Sequence, residues 1–353
     1  MAESDLSQEL QARVVDAHRR GEPLRIVGSG SKSFLGPPGA GELLRVAEHS
    51  GIISYEPKEL VITARAGTRL RDVEAALAEH NQMLAFEPPY FGADATLGGT
   101  VACNLSGPRR PYAGAARDFV LGVRLINGHG ERLRFGGEVM KNVAGYDLSR
   151  LMAGAYGTLG VLLDVTLKVL PRPRNTCTIM QQRNTEDAIR TMNRWAGEPV
   201  PLSACAYDGD VLYARLEGHA SAVHAAHAQM GGELLEDADF WKTLNEQRHG
   251  FFQDQRPLWR VASAPAAPSL GMPGKFFLDW GGALRWFKSD APGEAVRDAA
   301  RRAGGHAMLF RGNADNPSVF EPLTPALATL HRRIKTAFDP AGILNRGRLY
   351  TDF

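Results

Sequence analysis

The first sixty-seven residues alternate between one helical pattern and several short apolar runs. Leu6, Leu10, Val14 and Ala17 recur every three or four positions, which predicts a helix. The apolar runs predict strands at residues 24–28, 42–46, 51–56 and 60–67. A second helix is predicted over residues 69–82, with Thr68 as its N-cap. This order of elements predicts a small α/β layer.

A glycine-rich region at residues 92–114 follows, and then a hairpin that turns at Asn127-Gly128. After a second glycine-rich stretch, the alternation in "VLLDVTLKVLPRP" predicts a half-buried strand. The Pro-Arg doublets at residues 171–174 end this strand. The pattern therefore predicts a first domain at residues 1–173.

Residues 175–315 have a different pattern, in which separate strands and helices indicate an antiparallel sheet covered on one face. The predicted helices lie near 185–196, 219–230, 236–249 and 293–303, and the predicted strands at 201–207, 210–217, 257–262, 276–280 and 306–311. We expect an α+β cap domain at 174–315, and a C-terminal helix and tail at 316–353 that return to the first domain.

Composition narrows the function classes. The 353 residues are 44% hydrophobic and 23% charged, which is typical of a globular protein, and the net charge of +2 gives no electrostatic footprint for nucleic acid. No apolar run has the length of a membrane span, and the N-terminus has no secretory signal, so the cytoplasm is the expected compartment. Cys103, Cys177 and Cys205 are too far apart for a disulfide framework or an iron-sulfur ligand set.

Three loops rich in Gly, Ser and Thr suggest a ligand that approaches the backbone closely. They are "VGSGSKS" (27–33), "ATLGGTVACNLSG" (95–107) and "GYDLSRLMAGAYGTLG" (145–160), with Thr96, Asn104 and Thr158 as neutral polar contacts. Neither a P-loop nor a Rossmann fingerprint is present. Each loop alone is equally well explained as a tight turn, but together they suit a long flat ligand with a central pyrophosphate, such as FAD.

These loops, together with "FDPAGILNRGRLY" near the C-terminus, resemble the vanillyl-alcohol-oxidase/p-cresol-methylhydroxylase flavoprotein superfamily. Within it, "LDWGGALRW" (278–286) and "GGHAMLFRG" (304–312) resemble the FAD-binding subunits of bacterial glycolate oxidases. The resemblance implies a two-subdomain FAD-binding domain of the p-cresol-methylhydroxylase type followed by an antiparallel-sheet cap.

The resemblance also implies a role for each matching residue. The first pyrophosphate loop is matched by Gly28, Ser29, Gly30, Ser31, Lys32 and Ser33. The second loop is matched by Thr96, Leu97, Gly98, Gly99, Asn104 and Gly107. The segment along the ribityl chain and isoalloxazine is matched by Tyr146, Gly154, Gly157, Gly160 and Val161, and the C-terminal Asn that returns to the flavin by Asn345.

The chain departs from the family pattern in three places. Ser31-Lys32 stands where covalent members carry a flavin-linking His, which implies noncovalent FAD. Ala155-Tyr156 replaces a frequent Ser-Glu pair, and Arg346 replaces the usual Pro after Asn345.

Other polar residues carry weaker signals. His306 and Arg311, on one predicted strand, and Arg285 are the weak candidates for substrate contact, each with a structural pair as the alternative. Arg109, Arg110 and Arg117 either neutralise the pyrophosphate or are solvated. His219, His224 and His227 fit a solvated helix face better than a metal site, so we expect no metal.

Three functional hypotheses follow. The first is an FAD-binding subunit of a glycolate-oxidising complex. The resemblance associates such a complex with a second flavoprotein subunit and an iron-sulfur subunit, and any attachment of the chain to the inner membrane would come through those partners. The second is a self-sufficient flavin enzyme for a 2-hydroxy acid or polyol. The third is a non-catalytic assembly subunit with a structural flavin. In the superfamily that the chain resembles, the 2-hydroxy-acid dehydrogenases that act alone are longer and carry a His- and Glu-based metal site in the cap, which has no counterpart in this sequence.

Overall fold

The structure is a computed structural model that describes residues 4–137, 147–312 and 319–351. The helices are α1 (Ser7–Arg20), α2 (Leu70–Glu79), α3 (Leu97–Cys103), α4 (Arg110–Ala113), α5 (Ala116–Phe119), α6 (Leu148–Leu151), α7 (Thr185–Ala196), α8 (Ala220–Met230), α9 (Phe240–Asn245), α10 (Gly293–Arg302) and α11 (Pro325–Phe338), with 3₁₀ turns at Gly250–Gln253 and Trp280–Gly282. The first nine strands are β1 (Leu24–Val27), β2 (Glu42–Arg45), β3 (Ile52–Glu56), β4 (Val61–Arg65), β5 (Gln82–Met83), β6 (Val120–Ile126), β7 (Arg132–Gly136), β8 (Val161–Lys168) and β9 (Leu170–Pro171). The other strands are β10 (Asn175–Gln182), β11 (Leu202–Tyr207), β12 (Val211–Gly218), β13 (Glu233–Leu234), β14 (Leu258–Ala262), β15 (Lys275–Asp279), β16 (Leu284–Lys288) and β17 (His306–Arg311).

The chain forms two compact units. In the described part of the chain, unit 1 contains residues 4–106, 115–137, 147–171 and 322–351, and unit 2 contains residues 107–114, 172–312 and 319–321. The chain passes from unit 1 to unit 2 between Pro171 and Arg172, inside the Pro-Arg doublets. None of the described helices combines the length and the apolar character needed to cross a bilayer.

Unit 1 is built on a five-stranded antiparallel sheet in the order β3-β4-β8-β6-β7. Its middle strand, β8, is buried along nearly its whole length, because it has a neighbouring strand on each side and packed layers on each face. A parallel pair, β1 and β2, lies in the same unit, and an antiparallel pair joins β5 to β9. The predicted hairpin is present as β6 and β7, which pair around Asn127.

The helices of unit 1 follow the apolar spacing of the sequence. In α1, Leu10, Val14 and Ala17 are buried, and Gly21 ends the helix in the left-handed conformation that glycine adopts without strain. The predicted N-cap of α2 was wrong. Arg69 is the N-cap residue, and the Thr68 hydroxyl instead bonds to the backbone N–H and C=O of Gly51, because a buried hydroxyl needs a partner there.

Unit 2 is an eight-stranded antiparallel sheet in the order β13-β10-β12-β11-β15-β16-β14-β17. Helices α7, α8 and α10 supply Met192, Val223 and Val296 to the apolar clusters that the strands form with them. On neighbouring strands, Leu278 pairs with Arg285, Arg285 with Val261, and Val261 with Ala307, so these residues are on one face of the sheet. Leu278 belongs to the cluster around α7 and Val261 to the cluster around α10, so both clusters lie on this face.

The opposite face of this sheet is also packed, which the sequence did not indicate. Phe240 of α9 contacts Tyr213, and Trp241 donates a hydrogen bond to Thr178. Phe252 of the following 3₁₀ turn lies against Phe277 and Trp286. The prediction of one covered face missed this layer because the segment that forms it is short and irregular.

Residues 107–114 belong to unit 2, although they lie inside the span predicted for the first domain. The Trp280 indole donates a 2.9 Å hydrogen bond to the Gly107 carbonyl, and the Arg110 guanidinium lies 4.3 Å from the centre of the Trp280 ring. Arg109 binds Glu217 through two nitrogens, one of them at 2.9 Å. These contacts hold the segment in unit 2, and the spacing of residues in the sequence does not reveal them.

The Arg109–Glu217 ion pair gives a test of this packing. The Glu217 side chain is only 8% exposed and also lies 3.6 Å from Arg215, so Glu217→Gln removes the carboxylate charge that two buried guanidinium groups share. We expect unit 2 to lose about 3 kcal/mol of unfolding free energy. All five tryptophans are in unit 2, so urea denaturation followed by tryptophan fluorescence measures this unit.

The matched control is Glu186→Gln, which removes an exposed 3.0 Å pair with Arg190 and should cost at most about 0.5 kcal/mol. Equal losses for the two variants would contradict the assignment of Glu217 as the anchor of residues 107–114.

Candidate functional site

A cavity of about 330 Å³ lies in unit 1 beside the end of β1. Nine of the predicted site residues line it: Gly28, Ser29, Gly30, Ser31, Lys32, Ser33, Thr96, Gly99 and Asn345. The rest of its wall comes from Arg25, Ile26, Val27, Pro38, Gly39, Leu43, Arg45, Ala102, Cys103, Tyr156 and Arg348. The tertiary structure thus brings together segments that are more than three hundred residues apart in the sequence.

A smaller cavity of about 70 Å³ shares part of this wall. Gly28, Thr96, Gly99, Tyr156 and Asn345 line both spaces. The smaller cavity also contacts three further predicted residues, which are Gly98, Gly157 and Gly160. Together the two cavities are lined by twelve of the predicted site residues.

The loop after β1 needs its glycines for two different reasons. At Gly28, a Cβ atom would lie 2.4 Å from the Thr96 hydroxyl oxygen, so the loop and the start of α3 approach too closely for a side chain. Gly30 has φ +81°, which L-residues rarely adopt. In the described part of the chain, the N–H groups of Ser29 and Gly30 donate to no protein acceptor, so they are available to an anion.

The two glycines of the second loop have different surroundings. The Gly98 N–H donates to the Ala66 carbonyl at 2.7 Å, and a Cβ on Gly98 would lie 2.6 Å from the Ala66 Cβ. The Gly99 N–H bonds to the Thr96 hydroxyl, but a Cβ on Gly99 would meet only that hydroxyl oxygen, at 3.0 Å, before entering the cavity. Gly98 is therefore a packing glycine, and Gly99 leaves space for a ligand.

Four cationic side chains and no carboxylate line the larger cavity, which favours an anionic ligand. They are Arg25, Lys32, Arg45 and Arg348. The Lys32 ammonium donates to the Tyr90 carbonyl at 3.1 Å, so it is fixed in the wall of the cavity. Arg25 and Arg45 are on the neighbouring strands β1 and β2 and are exposed.

Arg348 holds the first loop in its conformation. Its guanidinium donates to the carbonyls of Pro37, at 2.6 Å, and of Lys32, Ser33 and Gly36, each at 3.3 Å. Burial lowers the pKa of this guanidinium from its usual value. The C-terminal tail thereby fixes the loop that follows β1.

Asn345 lines both cavities and uses its side chain within the protein. Its Oδ1 accepts the Ile26 N–H at 2.7 Å, and its Nδ2 donates to the Tyr156 carbonyl at 2.6 Å. Its φ of +43° is a left-handed conformation that Asn tolerates better than most residues. Arg346, which replaces the family Pro, accepts a hydrogen bond from Ala40 through its carbonyl, so the tail remains attached to the site.

Among the described residues, six predicted cofactor residues are not part of either cavity wall. Leu97, Asn104, Gly107, Gly154, Thr158 and Val161 lie elsewhere, and Tyr146 is outside the described residues. Asn104 ends α3 in a left-handed conformation and accepts the Arg117 N–H, and a Cβ on Gly154 would lie 3.3 Å from the Asn104 Cβ. Asn104 and Gly154 therefore shape the loops behind the cavity wall.

Burial explains the positions of the other residues in this group. Leu97 and Val161 are in the core, and the Thr158 hydroxyl donates to the Ala155 carbonyl at 2.7 Å. Gly107 is in unit 2, where its carbonyl binds Trp280.

The weak catalytic candidates do not form one cluster. His306 and Arg311 are at opposite ends of β17, about 16 Å apart at normal strand rise. Arg285 is buried on β16 and donates to the carbonyls of Gly282, Pro268 and Ala267, so it holds a loop of its own unit. Burial lowers the pKa values of all three side chains, and the positive charge of Arg260 adds to this effect at His306.

The remaining polar candidates have local partners. Arg109 and Arg110 are engaged in unit 2 as described above, and the exposed Arg117 lies 3.6 Å from Asp118. His219 contacts Ser221, and His227 contacts the Gly232 carbonyl. Across the described ranges, no group of three or more His, Cys, Asp or Glu side chains has the arrangement of a metal site.

Sequence reasoning missed the arginines and one thiol of the cavity. Arg25 and Arg45 interrupt the apolar runs that predict β1 and β2, and these interruptions were the available signal. Arg348 follows Asn345 by three residues in a recognised motif. Cys103 also lines the wall, where burial raises its pKa to about 11 and keeps the thiol protonated.

The site suits a dinucleotide with a diphosphate. A glycine-rich loop with unused N–H groups, several cationic side chains and an open surface at Gly99 match such a ligand, because phosphate oxygens accept backbone and guanidinium hydrogen bonds and a flat ring needs bare backbone.

Comparison with known proteins agrees with this conclusion. A family model described as the FAD binding domain matches residues 5–136, and one described as the C-terminal domain of FAD linked oxidases matches residues 312–349. The "Glycolate oxidase subunit GlcE" of Escherichia coli (strain K12) is 48% identical over 352 residues, which cover 100% of this chain and 99% of that protein.

Other relatives match only in part. The "D-lactate dehydrogenase" of Anaerostipes hadrus is 34% identical over 44% of this chain and 32% of its own length. The "Glycolate oxidase subunit GlcD" of Bacillus subtilis (strain 168) is 31% identical over 47% of this chain and 36% of its own length.

Solved structures confirm the predicted fold class. p-Cresol methylhydroxylase with substrate bound superposes with a TM-score of 0.74 at 15% identity, covering 99% of this chain and 88% of that one. Alkyldihydroxyacetonephosphate synthase gives a TM-score of 0.66 at 16% identity, covering 96% and 74%. At these identities the likeness concerns the fold alone.

The two adjacent glycines give a paired test of the site. We expect Gly99→Val to lose bound FAD while the melting temperature stays close to that of the wild type, because its side chain enters the cavity. We expect Gly98→Ala to lower stability by about 1–3 kcal/mol, because its Cβ collides with Ala66.

Flavin absorbance after gel filtration and a thermal melt measure the two effects. A Gly99→Val protein with normal flavin content would show that the cavity is not the FAD site.

Proposed function

The chain belongs to the family of FAD-linked oxidoreductases that includes glycolate oxidase subunit GlcE, and we propose that it is the FAD-binding subunit of a complex that oxidises glycolate. The observation that carries this proposal is the alignment at 48% identity along the whole chain. The cationic cavity of unit 1 supports it independently, because it has the chemistry that a dinucleotide requires.

In this proposal, different residues of the cavity bind different parts of the ligand. The loop at residues 28–33 holds the diphosphate, with Arg25, Arg45 and Lys32 supplying positive charge. Gly99 and Gly157 leave room for the flat part of the cofactor. When bound, FAD supplies the acceptor for the hydride that leaves the carbon bearing the hydroxyl group.

Attachment of FAD without a covalent bond is the form that these residues favour. Ser31 and Lys32 occupy the loop where a linking His would stand, and neither side chain forms such a bond. Cys103 is the nucleophile in the wall, and its raised pKa keeps the thiol in the unreactive protonated form at neutral pH.

The chemistry of oxidation is expected to need partner subunits. Removing a hydride from a 2-hydroxy acid requires a base for the hydroxyl proton and a cation for the carboxylate. His306, Arg311 and Arg285 do not meet in one place, and Arg285 is occupied by backbone carbonyls. Electrons would therefore leave through a second flavoprotein subunit and an iron-sulfur subunit, and any attachment of a cytoplasmic complex to the inner membrane would come from those partners.

The partial likeness to D-lactate dehydrogenases keeps a second function open, in which the chain oxidises a 2-hydroxy acid by itself. In the third possibility the flavin is structural and takes no electrons. Reduction of the flavin in the isolated chain separates the subunit of a complex from the self-sufficient enzyme. Reduction of the flavin within the complex separates the catalytic subunit from one whose flavin is structural.

We expect the purified chain to contain about one FAD that acid precipitation releases into the supernatant, because the cavity holds it through hydrogen bonds and charge. Absorbance of supernatant and pellet measures this. Flavin that remains in the pellet would contradict noncovalent binding, and Cys103→Ser would then show whether the thiol is the point of attachment.

We expect the flavin of the isolated chain to be reduced slowly or not at all by glycolate, and quickly once the partner subunits are added. Anaerobic mixing with millimolar glycolate, followed through the flavin band, measures the rate, with D-lactate as a second substrate. Fast bleaching of the isolated chain would support the self-sufficient enzyme. An unreduced flavin in the active complex would support the structural role.

A further inference from the structure

A buried ion pair lies behind the cavity, at the end of α11. The Lys335 ammonium donates three hydrogen bonds, to Asp339 Oδ2 at 2.7 Å, to the Thr158 carbonyl at 2.8 Å and to the Leu344 carbonyl at 2.9 Å. Both side chains are buried, and neither lines a cavity. One ammonium group thus joins the last helix, the C-terminal tail and the turn before β8.

The carboxylate completes this junction. Asp339 Oδ1 accepts the Ile343 N–H at 3.1 Å, and Oδ2 accepts the Leu344 N–H at 2.7 Å. A Cβ on Gly128 would lie 2.3 Å from Asp339 Oδ1, so the carboxylate occupies space that only a glycine at position 128 leaves free. Every hydrogen of the ammonium and both carboxylate oxygens therefore have partners, which is the condition for keeping a buried pair charged.

Each partner of the pair is one residue away from the cavity wall. Thr158 follows Gly157, and Leu344 precedes Asn345. A Cβ on Gly157 would lie 2.7 Å from Asn345 Nδ2, so these two wall residues are in tight contact. Residues 343–345 also run beside β1, with hydrogen bonds between Leu24 and both Ile343 and Asn345. A shift of the tail would therefore move the wall directly.

We infer that Lys335 and Asp339 are positioning residues for the cofactor: they fix the wall formed by Gly157 and Asn345 without touching the ligand. The inference rests on the proposed function only in taking FAD as the ligand of the cavity. Lys335 acts through Thr158 on one side and Leu344 on the other, and Asp339 sets the turn from which Asn345 reaches Ile26 and Tyr156.

The test compares four proteins. Lys335→Met keeps the length of the side chain but leaves Asp339 without its counter-charge. The double variant Lys335→Met/Asp339→Asn removes both charges and therefore avoids the cost of an unpaired buried charge. It still lacks the three hydrogen bonds of the ammonium group. Thr166→Val is the matched control, because it breaks a buried 2.9 Å hydrogen bond with Thr63 in the sheet of unit 1 and lines no cavity. The wild type is the reference.

Three measurements separate positioning from general stability. They are the melting temperature of the FAD-free protein, the Kd for FAD from quenching of flavin fluorescence, and the visible circular dichroism of the bound flavin. We expect both Lys335 variants to raise the Kd by about tenfold or more, which is about 1.4 kcal/mol of binding free energy, and to change the dichroism. Thr166→Val should lower the melting temperature but leave the Kd and the dichroism unchanged.

A fourth measurement needs no cofactor. Cys103 lines the same cavity, so its rate of alkylation by iodoacetamide, followed by peptide mass spectrometry, reports how firmly the wall is held. We expect faster alkylation in the Lys335 variants than in Thr166→Val, at a temperature where all the proteins are folded.

The outcomes are distinguishable. If the wild type takes up no FAD, the proposed function fails, while the Cys103 rates still test the positioning role. If the wild type binds FAD and the double variant regains stability together with a normal Kd, dichroism and alkylation rate, the pair is merely structural and the inference is overturned. If Lys335→Met does not fold, the double variant decides the question alone.

Discussion

The side-chain amide of Asn345 is the contact on which the site of unit 1 depends. Its two ends bind the backbone of β1 at Ile26 and of the turn at Tyr156, so three distant parts of the chain meet at one residue. An amide suits this position because it presents an acceptor and a donor in one plane, and because Asn tolerates the left-handed backbone found there. Asp or Gln would lose one of these properties.

The cavity is therefore a product of the C-terminal tail as much as of the glycine-rich loops. Arg348 holds the first loop through four carbonyls, and the Lys335–Asp339 pair holds the turn before Asn345. The loops leave backbone uncovered for a ligand, and such backbone has little packing of its own to keep it in place. The tail supplies the missing restraint through buried polar contacts that are satisfied almost completely.

The second unit shows the same use of buried charge. Residues 107–114 continue the second glycine-rich loop, yet they are held in unit 2 by Glu217 and Trp280. Helices on one face and an aromatic segment on the other leave its sheet well covered. Arg285, which sequence reasoning considered for a carboxylate ligand, has instead the role of a clamp on backbone carbonyls. Recognition of substrate in this unit would have to come from other groups.

The sequence by itself determined the elements and the kind of ligand. Apolar spacing located α1, α7 and most strands within a few residues, since periodicity reflects which side of an element is buried. It missed β10 and β16, because β10 is rich in polar residues and β16 is buried on both faces, so neither alternates. The glycine-rich loops indicated FAD, because glycine, Ser and Thr leave a recognisable composition.

Only the tertiary structure decided what each residue does. Gly98 and Gly99 are identical in the sequence, but Ala66 lies against one and open space against the other. Arg25, Arg45 and Arg348 form one positive surface only after β1, β2 and the tail come together. The sequence records which residues are present and how they are spaced. Whether a group packs, binds a ligand or holds a loop is decided by neighbours that lie three hundred residues away in the sequence. The local sequence contains no sign of those neighbours.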